Sequence, residues 1–142
     1  MENFDALKIE NQLCFPLYAC SREIIKLYKP LLDEIGLTYT QYISMMVLWE
    51  KGQINVKALG DILYLDSGTL TPLLKKLEAK GLVSRKRSTE DERSLIVSIT
   101  GEGMALRERA VGIPQAVASC TPLDAEEAAT LYRILYKILG NL

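Results

Sequence analysis

Apolar residues recur every three or four positions through most of the chain, and the runs are separated by glycines and capping residues. Leu13, Leu17, Ile24, Leu27 and Leu31 make one stripe, which predicts a first long helix from about Asn11 to about Asp33. Pro16 fits only in its first turn, where no backbone donor is needed, and Pro30 is expected to kink or end it. Past Gly36, Thr38 and Gln41 form a capping box opening a second helix, Tyr39 to about Glu50, with Tyr42, Met45, Met46 and Trp49 on its apolar face. Asn55 can cap a short third helix, Val56 to Leu63, with Leu59, Ile62 and Leu63 inward. A fourth helix begins near Asp66 to Thr69 and ends before Gly81. Pro72 argues that its regular part starts late, with Thr69 as the cap.

The period then changes. Leu82-Val83-Ser84-Arg85 and Leu95-Ile96-Val97-Ser98-Ile99 read as paired strands joined by the polar loop SRKRSTEDERS. Thr100 opens a fifth helix through about Ala118, weakened or bent by Gly101, Gly103, Gly112 and Pro114. Asp124 with Glu127 is a second capping box, and the helix it opens carries Ala128, Leu131, Leu135, Ile138 and Leu142 at 3-4-3-4 spacing. So continuous a stripe at a chain end wants a partner helix, and packing against a second copy is preferred over an intrachain partner.

Two short helices joined by a tight turn and followed by a hairpin make a winged helix-turn-helix: a mainly α fold with a small β-hairpin wing. In that layout the fourth helix enters the major groove, with Asp66, Ser67, Thr69 and Thr71 at its N-terminal end nearest the bases. Lys75 and Lys76 lie further along and suit phosphate. Leu70, Leu73, Leu74 and Leu77 recur at helical spacing and belong to the core. In the hairpin, Arg85, Lys86 and Arg87 supply positive charge. Arg93 at the loop's end is the residue expected to enter a narrow minor groove, with Asp91 placed to orient its guanidinium.

Charge distribution supports this more than net charge does. The formal balance is −1, yet residues 75 to 87 hold six basic side chains and one acid, on a remainder with eleven basic and seventeen acidic. A positive patch on an acidic body is the electrostatic footprint of a DNA-reading face. Without histidine or a CxxC pair, His-based catalysis and most zinc sites fall away, and no cofactor or metal is expected. MENFDALKIENQ lacks the pattern of a signal peptide and no apolar run approaches the roughly 20 residues of a membrane helix, so the expected compartment is a reducing cytoplasm.

Three cysteines remain: Cys14, Cys20 and Cys120. A reactive cysteine needs its thiolate stabilised, which helix N-termini and hydrogen-bond donors do. Cys14 qualifies by position, with Tyr18 four residues on along the same helical face. Tyr28 and Tyr39 are candidates to approach it in three dimensions, and Phe15 and Leu17 suit a greasy oxidant. Cys20 lies on another face of that helix and is expected to be a buried bystander. Cys120, in SCTPLD, sits at a break between helices.

YLDSGTLTPLLKKLEAKGLVSRKRSTEDERSLIVSIT strongly resembles the multiple-antibiotic-resistance regulator (MarR) family, and QLCFPLYACSREIIKLYKPLLDEIGLTYTQYISMMVLWE resembles its organic-hydroperoxide-resistance regulator (OhrR) branch. The resemblance runs from Asn11 to Thr100, about two thirds of the chain, and is weaker beyond. It implies one domain, residues 1–142, in which about 1–35 and 101–142 form dimerisation helices and about 36–100 a DNA-binding lobe. It further implies a homodimeric repressor on a pseudo-palindromic operator in double-stranded DNA. Cys14 matches the family's peroxide-sensing cysteine, and Tyr18 and Tyr28 match hydrogen-bonding tyrosines supplied from either subunit. Cys120 stands where one subgroup carries a resolving cysteine that closes an intersubunit disulfide; another subgroup lacks it and uses a small cellular thiol instead. Pro16 departs mildly from the sensing run. Control by a small aromatic ligand, a thiol peroxidase and a winged-helix module that binds protein are the alternatives. The absence of any thioredoxin-like βαβ pattern speaks against the peroxidase.

Overall fold

The computed structural model describes residues 3–91 and 93–142. Two short 3-10 turns, Phe4–Leu7 and Ile9–Asn11, lead into helix α1, Cys14–Asp33. Pro16 falls in its first turn as expected, but Pro30 neither ends nor interrupts it: α1 continues to Asp33. Pro30 and Lys26, whose carbonyl loses its helical donor there, both lie on the exposed side, where water can take the donor's place. Gly36, at φ 70, turns the chain out of α1, and Leu37 donates back to the Leu32 carbonyl at 3.1 Å.

The Thr38–Gln41 capping box is formed in both directions and opens α2, Tyr39–Lys51. A strand missing from the sequence reading follows, β1, Gln53–Asn55. Then come α3, Val56–Leu63, and α4, Ser67–Ala79. The cap of α4 is Asp66, which accepts from the Thr69 backbone at 2.8 Å, so the helix starts ahead of Thr69 and runs through Pro72. Strands β2, Val83–Arg87, and β3, Leu95–Ile99, pair antiparallel, and β1 adds to the far edge of β3, giving the order β1-β3-β2. The fifth predicted helix is two: α5, Gly101–Ala110, and α6, Ile113–Ser119, divided at Gly112 with Pro114 in the first turn of α6. Helix α7, Ala125–Leu139, opens on the predicted Asp124–Glu127 box.

The core lies between α2, α3, α4 and the sheet, where Met45, Leu48, Leu59, Leu74, Leu77 and Val97 have no exposed surface. Met46 and Ile62, expected inward, are about half exposed. Helix α1 packs on α2 and α6. Trp49 ties α2 to α5 through a 2.8 Å bond from Nε1 to the Gly103 carbonyl. A Cβ on Gly103 would stand 2.2 Å from the Leu82 carbonyl oxygen, so only glycine lets α5 lie on the hairpin base. Gly103→Ala is expected to lower the melting temperature: overpacking against backbone costs about 1–3 kcal/mol or more, above the roughly 1 kcal/mol that alanine gains in a helix. An unchanged thermal melt would remove this contact from the account.

Helix α7 buries none of its side chains, and Leu131, Tyr132, Ile134 and Tyr136 stand in the open. Leu7, Ile9, Leu13 and Phe15 are similarly uncovered around the start of α1. Both chain ends therefore present apolar surface that the protomer does not use.

Candidate nucleic-acid interface and thiol site

The turn between α3 and α4 is tight because Gly60 gives it room: a Cβ there would come 2.6 Å from the Leu65 carbonyl oxygen. Tyr64 closes α3 in the left-handed region at φ 57, the one described non-glycine residue with positive φ. Asp66 then fixes the start of α4. Its bonds from Thr69, the backbone one first, hold its carboxyl below the usual carboxylate range. Leu70, Leu73, Leu74 and Leu77 are buried beneath α4, while Ser67, Thr69, Thr71, Lys75 and Lys76 are all exposed on its outer side. One face of a single helix thus carries the small hydrogen-bonding groups at its N-terminal end and the cations behind them.

The wing sorts its charges differently from the sequence expectation. Lys86 and Arg87 are exposed. Arg85 instead folds back onto α4: its Nη2 meets Glu78 Oε1 at 3.1 Å, its backbone N–H donates to Glu78 Oε2 at 3.1 Å, and its side chain is 18% exposed. The hydrogen bond from Arg85 holds the Glu78 carboxyl below its ordinary range. Arg85 is therefore a brace between helix and strand and not one of the outward cations. Asp91 also differs: its carboxylate accepts the backbone N–H of Arg93 at 3.0 Å, and among the described residues it makes no ion pair with that guanidinium. It shapes the turn and leaves the exposed Arg93 side chain to project. The carboxyls of Asp66 and Glu78 both sit low in the folded state, so their contributions are intact above about pH 4 and lost as pH falls beneath it.

Between α3, α4 and the wing lies an open groove of about 670 Å³ whose walls include Lys57, Ser67, Thr71, Asp91 and Arg93. The structure thus brings five of the expected residues, Asp66, Ser67, Thr71, Asp91 and Arg93, to one concave surface, while Thr69, Lys75, Lys76, Lys86 and Arg87 are exposed outside its lining. It adds two that the sequence reading did not place there. Lys57 faces the groove from α3. Asn55, recognised only as a cap, accepts from Lys57 and Ala58 N–H groups and also bonds through Nδ2 to Ser94 Oγ, joining α3 to the wing's base. The cap was visible in sequence; a partner 39 residues away was not.

Cys14 is the first residue of α1 and is exposed, flanked by exposed Leu13 and Phe15. The backbone donors of that turn have no side-chain cap, which leaves them available to an anion. Tyr18 is four residues along and engaged with Arg22, whose Nη1 donates to the phenol at 3.3 Å while the guanidinium lies 5.5 Å over the ring. Tyr28 is on the same helix but about 21 Å further along the axis at 1.5 Å per residue, out of reach of Cys14 in one protomer. It packs instead on Tyr39, ring centres 5.1 Å apart, and both pack on Tyr42. Burial first, and Tyr28 second, hold the Tyr39 phenol above its usual value, so it stays a donor at neutral pH. All three cysteines are free and exposed. Cys20 is thus exposed in the protomer, contrary to the expectation of burial. Cys120 closes α6, in the break before α7. No cluster of metal-ligating side chains occurs among the described residues, and no described helix is long and apolar enough to cross a membrane.

A family model described as the transcriptional regulator SarA/Rot matches residues 26–109. The organic hydroperoxide resistance transcriptional regulator of Bacillus subtilis is 52% identical over 143 residues, covering 100% of this chain and 97% of the relative. Among solved structures, reduced AbfR bound to DNA superposes with a TM-score of 0.79 at 36% identity, covering 96% of this chain and 95% of that one. Disulfide-formed AbfR gives 0.68 at 34% identity, with 96% and 93% covered. AbfR is a protein of Staphylococcus epidermidis.

Proposed function

The chain belongs to the MarR family of winged-helix regulators, within the branch of the organic hydroperoxide resistance regulators, and from that premise we propose that it is a cytoplasmic, homodimeric, redox-sensing repressor. The observation that carries this is full-length similarity to a regulator of organic hydroperoxide resistance, together with an exposed thiol at the first position of α1. Residues 1–35 and 101–142 act as the dimerisation part and 36–100 as the DNA-binding lobe. The uncovered apolar surfaces at the start of α1 and on α7 support that division.

On DNA, α4 enters the major groove with Ser67, Thr69 and Thr71 towards the base edges. Lys75, Lys76, Lys86 and Arg87 neutralise phosphate, and Arg93 reaches into the neighbouring minor groove. Asp66 and Asp91 act by fixing the start of α4 and the wing turn. Two such heads read half-sites about one helical turn apart. The better match to DNA-bound reduced AbfR than to its disulfide form supports assigning the present arrangement to the DNA-competent state.

In the sensing step, the Cys14 thiolate attacks one oxygen of the hydroperoxide. The O–O bond breaks, the alkoxide leaves and takes up a proton as the alcohol, and sulfur is left as a sulfenic acid. Tyr28 and Tyr39, out of reach within the protomer, donate to that sulfur from the second subunit, alongside Tyr18. The thiolate of Cys120 in the other protomer then attacks the sulfenic sulfur, releasing water on protonation and closing a disulfide. That closure requires Cα atoms within about 7 Å and so pulls on the helices carrying the heads.

Operator binding, measured beside the chain's own promoter with and without cumene hydroperoxide, tests the reading. Binding is expected to be lost on oxidation and restored by dithiothreitol. Cys120→Ser is expected to oxidise at Cys14 but to give no dimer-sized band on a non-reducing gel; a persisting band would transfer the resolving role to Cys20. Release by a small aromatic acid under reducing conditions, with indifference to peroxide, would favour the ligand-controlled alternative. Two apolar recesses among the described residues, about 250 and 230 Å³, fall below the roughly 300–1,000 Å³ that small-molecule sites usually span.

A further inference from the structure

The corner joining α1 to α2, residues 34–38, is tied to both DNA-facing elements, by one cation each. Lys80, which closes α4, donates through Nζ to the Gly36 carbonyl and, at 3.2 Å, to Gln41 Oε1. That same oxygen accepts the Thr38 backbone N–H at 3.0 Å in the capping box of α2, and Gln41 is 3% exposed. Arg109, near the end of α5, donates through Nη2 to the Glu34 carbonyl at 2.6 Å. Helix α5 is in turn rooted in the wing. Thr100 follows β3 directly, caps α5, and donates through Oγ1 at 2.6 Å to the carbonyl of Gly81, the residue after Lys80.

The carbonyls of Glu34 and Gly36 are those of α1's C-terminal turn and of the corner it leads into, where the helix dipole favours cations. Tyr39 is the first residue of α2 and sits directly beside this corner, with its ring on Tyr28. A contiguous path therefore runs from the tyrosine pair through Thr38 and Gln41 to Lys80 and the recognition helix. A second runs from the end of α1 through Arg109 to α5 and the wing. We propose that Lys80 and Arg109 are positioning residues that carry a displacement of Tyr39 and the end of α1 to the recognition helix and the wing, and so set how much operator affinity is lost per oxidised Cys14. The proposal rests on the redox reading of Cys14. Both side chains are largely exposed, so each contact contributes little to stability, as surface charge contacts do. What they supply is a direct mechanical link between two elements whose relative position decides DNA binding.

The experiment compares operator Kd for reduced and cumene-hydroperoxide-treated protein in wild type, Lys80→Met, Arg109→Met and the double variant at one salt concentration. Peptide mass mapping places the oxidation on Cys14 in each sample. The ratio of oxidised to reduced Kd is the readout, because a lost cation that merely weakens DNA attraction raises both values equally. Each single substitution is expected to lower that ratio by about tenfold, within the usual span of coupling between sites, and the double by more. Lys80→Arg, which keeps the donor, and Lys29→Met, whose ammonium pairs with Asp33 on the open side of α1, are expected to keep the wild-type ratio. A double variant with the wild-type ratio overturns the proposal, as does an equal fall in the Lys29→Met control. A wild type that ignores peroxide overturns the redox reading and this inference with it, whereas a responsive wild type with an unchanged double variant overturns the coupling alone.

Discussion

Replacing Cys14 by serine is expected to leave operator binding intact under reducing conditions and to abolish its sensitivity to organic hydroperoxide. The site makes both halves of this expectation follow. Cys14 is exposed at the first position of α1, so exchanging sulfur for oxygen removes no core packing and leaves the helix start unchanged. A serine hydroxyl at neutral pH lacks the nucleophilicity of a thiolate towards an O–O bond, so the first chemical step is lost. The size of the effect follows from two-state arithmetic. Driving occupancy from 99:1 to 1:99 needs about 5.5 kcal/mol of differential stabilisation, which a new covalent state can supply and a hydroxyl cannot. Titration of labelled operator DNA, with and without cumene hydroperoxide, checks it. Release that persists in the variant would move the sensor to Cys20 or Cys120, both exposed and still present.

How far such a site was legible in sequence depended on the range of the interactions that make it. Capping boxes span only four residues, and the predicted Thr38–Gln41 and Asp124–Glu127 boxes both form. The buried stripe Leu70, Leu73, Leu74 and Leu77 faces inward as its period requires. A proline's position alone did not set where helices α1 and α4 begin or end. Pro30 and Pro72 each remove one backbone donor, yet both lie on exposed sides of helices held by packing elsewhere, and both helices continue. Strand β1 was missed because three residues, Gln53-Ile54-Asn55, give no alternation to read; it exists because β3 offers an edge.

Charge was legible in amount but not in direction. Arg85, Lys86 and Arg87 are indistinguishable in a count, yet Arg85 is drawn onto Glu78, seven residues back across the corner between α4 and β2. The tyrosines show the same limit at larger scale. Spacing placed Tyr18 on the Cys14 face, but only the helix geometry shows that Tyr28 is too distant to serve its own Cys14. On the proposed assignment of Tyr28 to the thiol site, a second copy of the chain must supply it, and dimerisation becomes a condition of sensing as well as of DNA reading.

That dependence makes α7 the place for a second large effect. Leu131→Glu together with Leu135→Glu is expected to convert the dimer to a monomer and to weaken operator binding by about 100-fold or more, the usual loss when two linked sites become one. The protomer should survive, because α7 buries no side chain within it and the core of α2, α3, α4 and the sheet is untouched. Two buried carboxylates facing their symmetry mates would each need partners that an apolar stripe lacks, so separation costs less than association. Light scattering on the eluting protein reports the mass, and circular dichroism reports whether helix content is kept. The same variant makes a further distinction. If the Cys14 environment is completed by tyrosines of the second subunit, the folded monomer should also oxidise at Cys14 more slowly than the dimer. A monomer that oxidises at the dimer's rate would show that one protomer suffices for the thiol chemistry, leaving the second subunit a role in DNA reading alone.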